Sequence, residues 1–256
     1  MLFGIGLAGA FLFTGCEEDR LPERFNKTEV PDSQPEVIDD TIIGYKALTN
    51  ETCEEFLIDY GLNHPQTRVQ VATKFGNIEL ELFEDTPLHR ANFLFMIERG
   101  YYTATEIVRI VKGFVVQGGN SEKEYPAFLR SVIGTYTLPN EISSQHVHIR
   151  GALASSRAYE NNPDKRSSPF DFYIVHGTIP INAEIKVFND KNAFRHTPYQ
   201  IEQYKTVGGA IHLDSKHTVF GQVTKGIEVI EILANLPTDD SEWPKEYVEV
   251  NMSVIE

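Results

Sequence analysis

The chain has 256 residues, of which 41% are hydrophobic and 11% aromatic, so it can form one large or two small domains with a sizeable core. The net charge is -14, from 37 acidic and 23 basic residues, and the pI is near 5.0. A nucleic-acid partner is therefore not expected, because phosphate binding needs a basic face.

An apolar segment, "LFGIGLAGAFLFTGC", ends at Cys16. The run from Leu2 to Phe13 is too short to span a bilayer but fits the hydrophobic region of a signal peptide. Its last residues, "FTGC", resemble a bacterial lipobox, which implies cleavage before Cys16 and attachment of lipid to this cysteine. We therefore expect a signal peptide over 1–15 and a lipid-anchored protein in the bacterial cell envelope, on its periplasmic or cell-surface face. The alternative is a buried N-terminal helix.

A polar stretch with three prolines follows, from residue 17 to about 40, and predicts an extended tether. The segment "TCEEFLIDYGL" then predicts a short helix with Thr52 at its N-cap. Cys53 is either a packed or a reactive thiol, and this setting favours a packed, inert one. We assign 16–66 to the anchor, tether and a short N-terminal extension, and 67–256 to the main domain.

From residue 67 onward, alternating apolar and polar residues predict strands. "RVQVATKFGNIELELF" predicts a hairpin that turns around Gly76 and Asn77. Thr86 as N-cap and Pro87 at the first helical position predict a helix that stops at Gly100. Further strands are predicted at about 106–111 and 113–118 and in "GALAS", "FDFYIV", "HTVFGQV" and "YVEVNMSVI", with a second helix in "GIEVIEILANL". Many strands with two separated helices predict a closed β-barrel capped by helices.

One arginine stands inside the apolar stretch "IVRIVKGFVVQGG". Strand periodicity places Arg109 on the same face as Ile107 and Val111. This arginine either lies at the surface, with its stem covering apolar neighbours, or points into an apolar groove where it does chemistry. The spacing alone leaves both interpretations open.

Five blocks of the sequence decide between them. In chain order they are "GNIELELFEDTPLHRANFLFMIERGYY", "VRIVKGFVVQGGN", "GALASSRA", "SSPFDFYIV" and "HLDSKHTVFGQVTKGIEVIEIL". In this order and at this spacing they resemble the cyclophilin-type peptidyl-prolyl isomerases, over residues from about 67 to 256. The resemblance implies a mainly β fold, a closed eight-stranded antiparallel barrel capped by two helices, here with extra loop and helix insertions. It also implies cis-trans isomerisation of X-Pro bonds, which needs no cofactor and no metal.

Rotation about an X-Pro bond is slow because amide resonance opposes it, with a barrier of about 18–20 kcal/mol. The twisted amide nitrogen has a free lone pair, which a fixed cationic donor can bond only in the transition state. Arginine suits this task because it stays charged and presents a rigid set of donors. By its place in "VRIVKGFVVQ", Arg109 matches the family's catalytic arginine, and Gln117 matches a glutamine that orients it by hydrogen bonding.

The resemblance also implies a groove for a proline-containing polypeptide. Phe114 matches the aromatic floor of the proline pocket, and Val115 stands in place of a methionine. The other substrate-binding positions are Ser156, Arg157 and Ala158, whose backbone pairs with the substrate, Tyr173, which forms an aromatic wall, and Leu213 and His217.

Asp171 departs from the family pattern. It stands where a glutamine bonds both the substrate and the catalytic arginine. We expect the carboxylate to form an ion pair with Arg109 and to slow the enzyme, because an ionised aspartate accepts hydrogen bonds but cannot donate one.

Two segments exceed the family pattern: 121–149, here called the first insertion, and 176–211, the second insertion. In the second, "TPYQIEQYKTVGG" predicts a helix that ends at a glycine pair, and the segment is a candidate extension of the groove. In the first, His146 and His148 lie on one face of a predicted strand, a candidate zinc pair without an evident third ligand.

Two functions remain open at this point. The first is a prolyl isomerase that assists the folding of exported proteins, and Arg109 and Gln117 favour it. The second is a cyclophilin-like binding module or chaperone with weak or no isomerase activity, and Asp171, Ser156 and Arg157 favour that. In either case we expect a monomer.

Overall fold

A computed structural model describes residues 47–103, 105–121 and 123–255 of the protein. The strands are β1 (Leu48–Thr49), β2 (Arg68–Thr73), β3 (Gly76–Leu82), β4 (Thr105–Val111), β5 (Val115–Gly118), β6 (Gly134–Thr135), β7 (Ala152–Ser155), β8 (Phe172–Val175), β9 (Val219–Lys225) and β10 (Glu249–Ile255). The α-helices are α1 (Cys53–Asn63), α2 (Pro87–Glu98), α3 (Glu124–Ile133), α4 (Asn182–Lys191), α5 (Pro198–Val207) and α6 (Ile227–Ala234), with a short 3-10 helix at Ile211–Leu213.

Eight of these strands close into a barrel in the order β10-β2-β3-β9-β7-β8-β5-β4. Every neighbouring pair in the barrel is antiparallel, so the predicted architecture is confirmed. The barrel is filled by apolar side chains, and α2 inserts Phe93 between the rings of Phe172 and Phe220, at centroid distances of 5.8 and 5.4 Å. Helix α6 also buries its apolar face, which consists of Val229, Ile230, Leu233 and Ala234.

The hairpin between β2 and β3 turns earlier than predicted. Thr73 pairs with Gly76 across the hairpin, so Lys74 and Phe75 form the turn, and Asn77 already lies in β3. The Thr73 hydroxyl closes this turn, because its Oγ accepts from the Phe75 N–H at 3.1 Å and donates to the Gly76 carbonyl at 2.9 Å. Gly76 then begins β3 at a φ of 130°, a conformation that favours glycine.

Helix α2 begins directly after Thr86 and is followed by Gly100 at a φ of 67°, as the sequence predicts. The side chain of Thr86 does not cap the helix, however. The first insertion does so instead, because the Glu141 carboxylate accepts from the N–H groups of Leu88 and His89 at 2.9 Å each. The first insertion therefore caps the N-terminus of α2.

The predicted helix of the N-terminal extension is α1, with Thr52 at its N-cap position. It packs against α2 through aromatic contacts, since the rings of Phe56 and Tyr60 lie 5.1 and 5.4 Å from that of Phe95. Cys53 is fully buried, and burial raises the pKa of its thiol. The prediction of a packed thiol is therefore confirmed, and the raised pKa disfavours the reactive thiolate.

The extension is also tied to the first insertion. Leu48 of β1 pairs in parallel with Gly134 of β6. A Cβ atom at Gly134 would lie 2.2 Å from the Leu48 carbonyl oxygen, so the two backbones can approach this closely only at a glycine.

The predicted signal peptide over 1–15, Cys16 and the tether lie outside the described residues. The boundary at residue 67 between extension and main domain stays a prediction. Within the ranges that the structure describes, no helix has the length and hydropathy that a membrane span requires.

Candidate active site

The adjacent strands β4 and β5 bring the two predicted catalytic residues together. Arg109 and Gln117 are cross-strand partners, so their side chains share one face of the barrel wall. Val111 pairs with Val115, and the Phe114 N–H donates to the Val111 carbonyl at 2.9 Å in the turn between the strands. The tight hairpin between β4 and β5 thus brings together Arg109 and Gln117, which are eight positions apart in "VRIVKGFVVQ".

A cavity of about 290 Å³ opens at this face. Its lining contains all the predicted site residues except Ala158 and Asp171, together with Tyr159, which the sequence analysis did not single out: Arg109, Phe114, Val115, Gln117, Ser156, Arg157, Tyr159, Tyr173, Leu213 and His217. The sequence therefore identifies most of the groove, and the roles assigned to its residues stay predictions.

The guanidinium of Arg109 is held from an unpredicted direction. Its Nε donates to Oε2 of Glu242 at 2.6 Å, and its central carbon lies 5.9 Å from the ring centroid of Phe114. In the described part of the chain, the side chain of Gln117 makes no hydrogen bond to Arg109, so the expected orientation by the glutamine is not present in this structure. No local sequence signal connects Glu242 to Arg109, because the two lie 133 positions apart.

The prediction of an ion pair between Asp171 and Arg109 is wrong. Asp171 accepts a hydrogen bond from the Ser168 hydroxyl at 2.6 Å, and burial raises the pKa of its carboxyl group. The reason is local, since a short aspartate bonds within its own loop, where the N–H groups of Phe170 and Asp171 also donate to the Ser168 oxygen at 3.3 Å. Asp171 therefore stands outside the groove.

The segment that was expected to pair with substrate is partly occupied. The N–H of Ser156 donates to the Asp171 carbonyl at 3.2 Å, and the Ser156 carbonyl accepts from the Ser168 N–H at 2.8 Å. Ala158 lines a neighbouring cavity instead of the groove. Among the described residues, the backbone N–H and C=O of Arg157 have no protein partner, so Arg157 is the position left for main-chain pairing.

A buried polar network supports the wall of the groove. The Tyr173 hydroxyl lies 3.1 Å from Nε2 of His148, whose Nδ1 lies 2.8 Å from Oδ1 of Asp214. The other Asp214 oxygen accepts from the hydroxyl of Tyr204 at 2.7 Å and lies 2.6 Å from Nε2 of His196. Burial alone would raise the pKa of Asp214, but the hydrogen bonds from the two histidines outweigh it and lower the pKa to about 2.

This network connects the second insertion to the groove. Tyr204 lies in α5, which spans the predicted helix, and His196 directly precedes that helix. Asp214 could not be identified from the sequence, because neither a motif nor periodicity links one aspartate to partners on separate elements. The second insertion therefore lies behind Tyr173, on the protein side of the groove wall. It supports that wall through the buried network.

Tyr159 and His217 form the part of the cavity lining next to Tyr173, since the ring centroids of His217 and Tyr173 lie 5.7 Å apart. Nδ1 of His217 lies 3.1 Å from the Ser155 carbonyl oxygen, and its Nε2 lies 2.7 Å from the Tyr159 hydroxyl. Burial lowers the pKa of His217 to about 4, so the imidazole is neutral at neutral pH. Because Nδ1 faces a carbonyl, it carries the proton and Nε2 accepts from Tyr159. The sequence signal for Tyr159 is only an aromatic residue directly after "SSRA".

The two histidines of "HVH" do not form a metal pair. Neither lies in a strand, and they contact different carboxylates: His146 lies 2.8 Å from Asp85, and His148 bonds to Asp214. Across the described ranges, no group of three or more His, Cys, Asp or Glu residues is arranged to hold a metal ion.

The arrangement suits one kind of chemistry. A cation with donors to spare stands beside an apolar floor and wall formed by Phe114, Val115 and Leu213. A flat apolar ring fits such a floor, and a fixed guanidinium can stabilise electron density that develops beside it.

Comparisons with known proteins agree with this geometry. The family model described as "Cyclophilin type peptidyl-prolyl cis-trans isomerase/CLD" matches residues 68–254. A Streptococcus pyogenes protein named as a bifunctional phosphatase/peptidyl-prolyl cis-trans isomerase is 32% identical over 189 residues, which are 73% of this chain and 38% of that protein. A peptidyl-prolyl cis-trans isomerase of Acinetobacter baylyi is 28% identical over 173 residues, 67% of this chain and 74% of that one. The chain thus spans well under half of the first relative and most of the second.

A solved structure also resembles this fold. It is a cyclophilin type peptidyl-prolyl cis-trans isomerase of Cryptosporidium parvum, crystallised in the presence of the dipeptide Ala-Pro. The TM-score is 0.52 at 21% sequence identity, covering 74% of this chain and 99% of that one. At this identity the likeness shows the fold alone.

Proposed function

The chain belongs to the cyclophilin-type peptidyl-prolyl cis-trans isomerases, and we propose that it catalyses rotation about X-Pro bonds in polypeptides that bind the groove. The observation that carries this proposal is the position of Arg109 beside Phe114, in a cavity also walled by Val115 and Leu213. These residues supply the two things the reaction needs, an apolar seat for the proline ring and a cationic donor next to it.

The proposed mechanism uses the groove without a covalent step. Phe114 and Leu213 remove the proline ring from water, and the terminal amino groups of Arg109 donate to the prolyl nitrogen as it becomes pyramidal. That bond strengthens only when the amide is twisted, so it lowers the barrier and does not merely tighten substrate binding. The backbone of Arg157 holds the chain beside the ring in an extended conformation.

A protease-coupled assay on a short X-Pro peptide tests the proposal. Uncatalysed exchange takes about 10–100 s, so catalysis appears as a faster cis-to-trans phase that scales with protein concentration. An unchanged phase would contradict the enzymatic function. If NMR titration then detected peptide binding at Phe114, the second candidate, a binding module, would be favoured.

The binding-module candidate rests on one observation. The only ion pair that Arg109 makes in the described part of the chain is with Glu242, which lies outside the cavity lining. A guanidinium held too firmly could not follow the prolyl nitrogen through the rotation. The assay above separates the two candidates, because binding alone leaves the exchange rate unchanged.

We further propose that the protein is lipid-anchored in the bacterial cell envelope and assists the folding of exported proteins. The support is the "FTGC" sequence after a short apolar run. Cys16→Ser should move the protein from the membrane fraction to the soluble fraction, whereas Cys53→Ser, the matched control, should not. Unchanged partitioning of the Cys16 variant would contradict the anchor.

We also propose that the protein is a monomer, since the proposed mechanism needs no residue beyond those of this cavity. Sedimentation at several protein concentrations tests this, and a concentration-dependent mass would contradict it.

A further inference from the structure

We propose that Glu242 is a positioning residue for Arg109: its carboxylate fixes the guanidinium through Nε and leaves the two terminal amino groups to the substrate. The inference rests on the proposed function, because it gives Arg109 the catalytic role. It assigns to the loop between α6 and β10 the task that Gln117 was expected to perform.

The contact itself is short and joins two partly exposed side chains. Nε of Arg109 lies 2.6 Å from Oε2 of Glu242, a charge-assisted hydrogen bond between opposite charges. Among the described residues it is the sole hydrogen bond of the Arg109 side chain. A bond to Nε restricts the swing of the guanidinium plane and engages none of the four N–H donors on the terminal nitrogens.

The backbone of Glu242 is anchored next to the residue it serves. The N–H of Ile110, which follows Arg109 in β4, donates to the Glu242 carbonyl at 2.8 Å. The loop is closed by the Asp239 side chain, whose Oδ1 accepts from the N–H groups of Ser241 and Trp243 at 2.8 and 3.1 Å. Because the carboxylate is carried on a braced turn, less backbone freedom is lost when it binds Arg109.

The conformation of Glu242 is a second, independent observation. Its φ is 66°, in the left-handed region that glycine and asparagine adopt at less cost. Residues held in this region against their preference cluster at functional sites. A glutamate at this position is disfavoured by the backbone, and its side chain is the part that reaches Arg109.

No other residue in the described chain is placed to do this work. Gln117 is the cross-strand partner of Arg109 but is not bonded to it, and Asp171 is bonded to Ser168. Without Glu242 the guanidinium would sample its rotamers over the apolar floor. Misplacement of a catalytic group by about 1 Å can lower the rate by up to about 10²-fold.

Three variants test the assignment. Glu242→Gly removes the carboxylate and relieves the left-handed backbone, and Glu242→Gln keeps an acceptor but removes the charge. Glu246→Gln is the matched control, because Glu246 lies in the same loop and pairs with Lys74 at 2.7 Å, away from Arg109. Each protein is measured for kcat and KM in the isomerase assay and for its Tm.

We expect Glu242→Gly to lower kcat about tenfold, with KM changed by less than about twofold, because the group is misplaced and not lost. Its Tm should equal or exceed that of the parent, a result that a merely structural role would not give. Glu242→Gln should recover part of kcat, and the Glu246 control should match the parent. A Glu242→Gly protein with the parent's kcat would overturn the inference. A higher kcat would also overturn it, because it would show that the ion pair with Glu242 keeps Arg109 away from the substrate.

NMR of the arginine Nε–H groups supplies a readout that does not depend on activity. We expect one signal, absent in Arg109→Lys, that is protected from solvent exchange in the parent and loses that protection in Glu242→Gly. An unprotected signal in the parent would overturn the inference even if the protein catalyses. If the parent fails to catalyse but the signal behaves as expected, the proposed function fails while the positioning contact stands.

Discussion

The hydroxyl of Tyr159 lies 2.7 Å from Nε2 of His217, so a side chain that is 65% exposed is tied across the margin of the groove to a buried imidazole. The guanidinium of Arg157 lies 4.4 Å from the centroid of the Tyr159 ring. Because both Tyr159 and His217 line the cavity, we expect a proline ring that enters beside His217 to break this hydrogen bond or to displace the Tyr159 ring.

We therefore expect Tyr159→Phe to lower KM for a short X-Pro peptide by up to about fivefold, since the net value of such a hydrogen bond is about 1 kcal/mol. The kcat should be unchanged, because Arg109 is untouched. Steady-state kinetics checks this, with Tyr199→Phe as control, an exposed tyrosine of α5 that does not line the cavity. A higher KM in the Tyr159 variant would show that its hydroxyl contacts the substrate.

Arg109→Ala should lower kcat/KM at least about tenfold, which corresponds to about 1.4 kcal/mol of transition-state stabilisation. Arg109→Lys should rescue little, because an ammonium group lacks the planar set of donors. The Arg109 side chain is 36% exposed, so its removal leaves no core cavity and the Tm should stay near that of the parent. Arg68→Ala, at an exposed arginine of β2, is the control, and a parent-like rate in Arg109→Ala would remove this residue from the mechanism.

The sequence predicts those parts of the fold and site that depend on local pattern. The alternation of apolar and polar residues predicts β2 and β3, and both strands are present. The β4–β5 hairpin likewise follows from one segment, which contains Arg109, Phe114 and Gln117. These features need no knowledge of distant contacts, because each strand or hairpin sets its own geometry.

The partners of these residues could not be predicted in the same way. Glu242 reaches Arg109 only because the barrel closes and brings the loop before β10 beside β4. The prediction for Asp171 failed for the opposite reason, since Ser168, three residues away, took up its carboxylate. Positions taken from a family pattern locate a residue, but which neighbour it bonds depends on the other residues of this chain.

Asp214→Asn should strongly destabilise the protein. The carboxylate accepts from Tyr204 and stands against His148 and His196, so an amide in its place leaves buried groups unsatisfied. We expect the free energy of unfolding to fall by about 3 kcal/mol or more, measured by urea denaturation. Asp190→Asn, at an exposed ion pair with Lys186, should change it little.

Tyr173 links that network to the groove, so the same substitution has a kinetic consequence. Loss of the Asp214 contact frees His148, which otherwise holds the Tyr173 hydroxyl. At a temperature where the Asp214→Asn protein is folded, KM should rise more than kcat falls, because the wall binds substrate and does not touch the prolyl nitrogen. A variant with parent-like stability and KM would show that the network does not support the groove.

His217 makes the stability of the fold depend on pH. Burial lowers the pKa of His217 to about 4 from a usual value near 6.5, and the charges of His148, Arg157 and Lys216 act in the same direction. Between these two pH values the unfolded chain binds a proton that the folded chain does not. The contribution is therefore fully present above about pH 6.5 and is lost as the pH falls through about 4.

We expect the free energy of unfolding to fall by on the order of 3 kcal/mol as the pH is lowered across this window, from the shift of His217. Asp171 acts in the opposite sense, because its raised pKa favours the folded state at lower pH, and Asp214 titrates below the window. The measurement is urea denaturation at several pH values for the parent and for His217→Gln, whose amide can still donate to Ser155 and accept from Tyr159. The variant should show a flatter pH dependence, and an equal slope in both proteins would show that the pKa of His217 is not lowered in the folded protein.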